Sequence, residues 1–171
     1  MRAFAIIWVI FIFSCVAIAE DATADSLIRA EVNLFMEALK SGQGDVAASM
    51  FSSSAFETVD LMLGSLKRSY DDNPEITLRR LSGSGYTIEA EQIEDWEKEA
   101  YLAATLSLPI ISARYLPYEI SIDTVQLDNR EAVVQMVFTT MSGVEIPQEA
   151  ILNLEEDNWK ISTFMGITAF P

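Results

Sequence analysis

The hydrophobic period of this chain changes once, near residue 117, and that change constrains the fold more than any other feature. Before it, apolar side chains recur at three- and four-residue steps. Ile28, Val32, Phe35, Met36 and Leu39 share one face, and Phe56, Val59, Leu63, Leu66 and Tyr70 share another. After it, Tyr118, Ile120 and Ile122 alternate with Glu119, Ser121 and Asp123. The first period builds helices, and the second builds strands that turn one face to a core. The later strands are separated by turns too short for parallel crossovers, so only antiparallel neighbours are allowed. Helices first and a meander afterwards predict an α+β domain, with the N-terminal helices packed on a curved antiparallel sheet formed mainly by residues 118–164.

Local signals place the elements. A first helix starts at Ser26, capped by Asp25 or Thr23, and stops at Ser41-Gly42. Asp45 caps a short second helix over residues 44–51. Ser54-Ala55-Phe56-Glu57 reads as a capping box that opens a third helix ending before Asn73-Pro74. Ile76–Leu81 fits either strand or short helix, and Ser82-Gly83-Ser84-Gly85 is a turn. Residues 89–106 read as one helix, with Ile93, Trp96, Ala100, Ala103 and Ala104 on one side and Glu91, Glu94, Asp95 and Glu99 on a solvated face. A helical turn follows over residues 110–116. Beyond Thr124 the apolar phase shifts to Val125 and Leu127, which predicts a β-bulge. Residues 132–140 form a strand apolar on both faces, residues 149–155 alternate, and Trp159 and Ile161 in the closing strand should face the helices.

The first nineteen residues have the layout of a secretory signal peptide: Arg2, an apolar run from Ala3 to Phe13, and Ala17-Ile18-Ala19 before Glu20. A spanning helix needs ~20 apolar residues, and this run is shorter. The chain therefore divides into a signal peptide over 1–19, a mobile acidic leader over 20–25 and one domain over 26–171. Cleavage predicts a periplasmic or secreted protein of the bacterial envelope, with no stable membrane insertion. The alternative is a lipoprotein acylated at Cys15, although Phe13 is bulky where a lipobox carries a small residue.

The full chain carries a net charge of −15, and its only cysteine is Cys15. That acidity repels phosphate backbones and excludes nucleic acid as a partner. A hydrophobic content of 50% excludes a disordered chain. With no histidine, and no cysteine after the signal, Ser-His-Asp triads, Cys-His pairs and ordinary zinc sites are ruled out. Asp71-Asp72-Asn73-Pro74-Glu75 is the nearest approach to a calcium loop. It has Ile76 where an EF-hand needs Gly and Ser82 where it needs Glu. No metal, cofactor or catalytic residue is assigned.

Three segments in order resemble the nuclear transport factor 2-like superfamily, a cone-shaped fold of small exported bacterial domains. They are Val32–Gly42 with Asp45–Phe51, then Asp128–Val134, then Leu154–Ile161. The resemblance implies a fold shared by isomerases, dehydratases, assembly domains and binding modules, so it names no activity. Dehydratase-like members use a histidine absent here, and the isomerase-like pattern has no residue-by-residue match. The leading expectation is a non-catalytic binding or assembly domain for a protein or small apolar ligand. Its pocket would be lined by Phe35, Trp96, Tyr101, Met136 and Phe138. The alternatives are an isomerase- or lyase-type enzyme using Asp123 or Glu119 with Tyr118 or Tyr101, and a scaffold component of an envelope complex.

Overall fold

Asn73 and Pro74 show how closely the local chemistry dictates the helical layer. The Asn73 side chain accepts a hydrogen bond from Ile76 N–H at 3.1 Å, and Pro74 occupies the first helical turn, where no donor is needed. Residues 76–81 are therefore helical. In the computed structural model, which describes residues 23–87 and 90–164, seven helices precede four strands. The helices are α1 (residues 23–40), α2 (Gly44–Ser49), α3 (Ser53–Asp72), α4 (Pro74–Gly83), α5 (Ala90–Asp95), α6 (Lys98–Leu106) and α7 (Pro109–Tyr115). The signal peptide, Cys15 and the first part of the acidic leader lie outside the described residues.

Several local expectations need correction. Helix α1 is already formed at residue 23, ahead of Ser26. Asp45 sits in the first turn of α2, where its charge suits the helix dipole, but no side chain caps that helix. Helix α3 starts one residue before the proposed capping box. Ser52 is its cap, accepting from Ala55 N–H at 3.2 Å, and the carboxylate that completes the cap comes from Glu155, which takes the Ser53 N–H at 3.0 Å. The helix read over 89–106 is two helices, because Glu97 is extended (φ −89°, ψ 160°) and separates α5 from α6.

The strands β1 (Glu119–Asp128), β2 (Glu131–Thr139), β3 (Glu145–Glu155) and β4 (Asn158–Phe164) form an antiparallel meander in sequence order. The predicted bulge is present: Ile122 pairs with Met136 and Thr124 with Gln135, leaving Asp123 extra. Strand β3 begins at Glu145, earlier than Glu149, because 145–148 continue the ladder along β2. Ala132, Val134, Met136 and Phe138 are buried on one face of β2, while the alternate positions are half-buried. Trp159 and Ile161 are buried as expected.

The helical layer holds both edges of the sheet. Along β1, Arg29 donates to Ile122 C=O at 2.9 Å and Lys40 to Tyr118 C=O at 2.9 Å. Along β4, Ile161 N–H donates to Met50 C=O at 2.8 Å and Ser52 N–H to Ile161 C=O at 2.9 Å. These bonds occupy part of each edge. Between layer and sheet, ring contacts link Phe51, Phe35, Phe164, Tyr115, Phe138 and Tyr118, with centroids 5.1–6.3 Å apart.

Candidate binding site

The five pocket residues nominated from the sequence separate into two groups. Phe35, Met136 and Phe138 are no more than 2% exposed and belong to the core. Phe35 meets Phe51 and Phe164 edge-on at 5.4 and 5.1 Å, so its ring faces other side chains and not an open mouth. Trp96 and Tyr101 are half-buried and grouped with Tyr86, Trp96 touching both tyrosine rings, while Tyr86 and Tyr101 also pack against the margin of the core. This second group is the candidate site.

Each member is delivered by a distinct local device. Tyr86 follows a helix stop at Gly85, whose φ of +95° suits a residue without a side chain. Gly85 N–H returns to Ser82 C=O and Tyr86 N–H to Leu81 C=O, at 3.0 and 3.1 Å, so the turn folds Tyr86 back over the end of α4. Trp96 sits at the break between α5 and α6. Its ring packs against Tyr86 at 6.1 Å and Tyr101 at 5.6 Å, tilted in both cases. Tyr101 and Thr105 stand one turn apart on α6. Helix α6 is itself fixed by close approach of α2, because a Cβ on Gly44 would collide with Ala103 C=O and with the Ser107 N and Oγ.

The hydrogen bonding fixes who donates. Thr105 Oγ1 donates to Tyr101 C=O at 2.8 Å, which uses its single proton. Tyr86 OH, 2.8 Å from Thr105 Oγ1, is therefore the donor to it. Burial pushes the Tyr101 hydroxyl up to about 12, with the neighbouring Tyr86 adding to the effect. Burial raises Tyr86 too, opposed by its bonds to Thr105 and Tyr101. Both phenols stay neutral far above physiological pH. The array offers aromatic faces and neutral hydroxyls, suited to stacking and hydrogen bonding rather than proton abstraction.

The acid–base alternative loses its geometry. Glu119 and Asp123 are both exposed, and Tyr118 packs on Phe138 at 5.7 Å. Neither carboxylate has the buried setting that this reading required. Glu94, Asp95 and Glu99 are exposed, as a solvated helix face should be. No cluster of metal-binding side chains occurs among the described residues. No described helix is long and apolar enough to cross a membrane. Tyr86 and Thr105 were missed in the sequence. The signal for Tyr86 was its place directly after a Gly-terminated helix, and Thr105 lies four residues after Tyr101.

No protein-family profile and no curated protein sequence matches this chain. Among solved structures, it is similar to a Campylobacter jejuni protein described as a nuclear transport factor 2-like transpeptidase. That match has 10% identity and a TM-score of 0.32, over 52% of this chain and 96% of the other. It is also similar to a Xanthomonas campestris protein described as a calcium/calmodulin-dependent protein kinase II association domain. There the identity is 13% and the TM-score 0.30, over 78% of this chain and 79% of the other. The first shares the family name that the order of segments resembles. Likenesses at these TM-scores carry no argument, and the α+β class rests on the elements themselves.

Proposed function

We propose that the protein is an exported, non-catalytic binding or assembly domain whose contact site is the Tyr86–Trp96–Tyr101 array. The observation that carries this reading is the division of the nominated pocket. Three residues are sealed in the core, and the other two join Tyr86 in a half-open aromatic surface on the helical layer. Its ligand would be a small apolar molecule or an apolar side chain of a protein partner, stacked on Trp96 and hydrogen-bonded by a neutral phenol. Export is supported by the charge, apolar run and small-residue ending of residues 1–19.

Two measurements test this. Mass spectrometry of protein recovered from the periplasm or medium should find Glu20 at the N-terminus, and an acylated Cys15 there would establish the lipoprotein instead. In the processed chain, Trp159→Phe leaves Trp96 as the only tryptophan. Its emission should shift on titration with apolar metabolites or the native partner. An unmoved Trp96 spectrum, together with partner binding untouched by Trp96→Ala, would remove the array from the function.

A further inference from the structure

The four strands bury one face against the helices, and the register lines up the side chains of the other. Along that outer face the rows alternate in character. Glu119, Thr139 and Glu145 lie across from one another at one end, followed by Ser121, Val137 and Pro147. Thr124, Gln135 and Glu149 come next, then Gln126, Val133, Ile151 and Thr163, and finally Asp128, Glu131, Asn153 and Lys160. Rows on one face of a strand are ~7 Å apart. The acids Glu119, Asp128, Glu131, Glu145 and Glu149 are all exposed, whereas Val133, Val137 and Ile151 are half-buried. The base of this face, Lys160, donates to Ser49 C=O at 2.9 Å and is directed to the edge.

We infer that this outer face is a docking surface for a basic, amphipathic segment of a partner protein. Two rows with apolar centres, bracketed and divided by carboxylates, call for cations spaced between apolar side chains. A second copy of this chain suits the surface poorly. Pairing the face with itself would oppose carboxylate rows on a chain of net charge −15. The inference does not depend on the aromatic array, which sits on the helical layer.

The test uses the purified protein and a synthetic amphipathic peptide carrying Lys and Leu on one face. A Lys/Ser peptide and a Glu/Leu peptide serve as controls. The Lys/Leu peptide should bind, more weakly as salt rises, and at least about tenfold better than either control. Glu145→Lys with Glu149→Lys should weaken it about tenfold or more. Glu57→Lys with Asp60→Lys, an exposed pair on α3 with the same change in net charge, should weaken it less than about twofold. Trp96→Ala should leave this binding unchanged even if it abolishes ligand binding at the array. Equal weakening by the two Lys pairs would reduce the effect to overall charge and overturn the inference. So would equal binding of the Lys/Ser peptide, or no binding at all. Sedimentation showing a dimer that Glu145→Lys alters would place a second copy on the face and overturn it as well.

Discussion

Two groups of aromatic rings in this molecule stand under different conditions. The core chain from Phe51 through Phe35, Phe164 and Tyr115 to Phe138 is buried and edge-to-face except at the tilted Tyr115–Phe164 pair, with Phe35 1% exposed. The array of Tyr86, Trp96 and Tyr101 is half-buried, with tilted rings and the Tyr86 hydroxyl tied to Thr105, whose own hydroxyl bonds the α6 backbone. Rings in the first group contribute by excluding water and filling volume. Rings in the second are only half-buried, touch one another, and have a polar contact at Thr105. A sealed ring cannot meet a ligand without unfolding its neighbours, which is why the proposed contact site lies in the second group.

That contrast can be broken by mutation. The largest effect should come from Phe35→Ala, which leaves a cavity between layer and sheet and should lower the urea-derived stability by about 3–5 kcal/mol. A smaller value would mean the core rings are less tightly packed than their contacts indicate. Gly44→Ala should follow at about 1–3 kcal/mol, because the added methyl forces α2 away from the α6 backbone. It should also change Trp96 emission, since α6 carries the array. If stability falls with no spectral change, α2 does not position the site.

Within the array the costs should be lower. Trp96→Ala should destabilise by about 1 kcal/mol, well below Phe35→Ala, as expected for a ring that is only half-buried. A loss equal to that of Phe35 would make Trp96 a core residue and erase the comparison. Thr105→Val should cost a similar ~1 kcal/mol by stranding the Tyr86 hydroxyl, and Tyr86→Phe in that background should recover part of it. The smallest effect at neutral pH belongs to Tyr101. Its pKa is raised in the fold, so the unfolded chain ionises first as pH climbs above 10. The stability tied to its neutral form is present below pH 10 and lost as pH rises toward about 12. Ultraviolet titration should show a late-ionising phenol that Tyr101→Phe removes.

Strands were the more legible half of the sequence. The alternation through Tyr118–Ile122, the phase shift at Asp123–Thr124 and the inward Trp159 and Ile161 all appear in the structure. The helical layer was read unevenly. Asn73-Pro74 marked its junction correctly, but 89–106 was fused into one helix, because the break at Glu97 has no Pro or Gly to announce it. The acid–base reading failed at Glu119 and Asp123 because alternation tells which side of a strand a residue takes, not what covers that side.

The sequence by itself determined the α+β class, the order of helices before strands and the buried faces of α1 and the strands, since period and turns are satisfied within a few residues. The buried face of α6 is Leu102, Thr105 and Leu106, not the side read around Ala100. Tertiary structure decided what depends on distant partners. Glu155 caps α3 across 102 positions, and Arg29 reaches β1 across 93. It also separated the sealed rings from the open ones. Phe35, Trp96, Tyr101, Met136 and Phe138 all look alike as apolar residues in a string. Their exposure depends on which helix or strand lies over each, and that is set only when the layers pack.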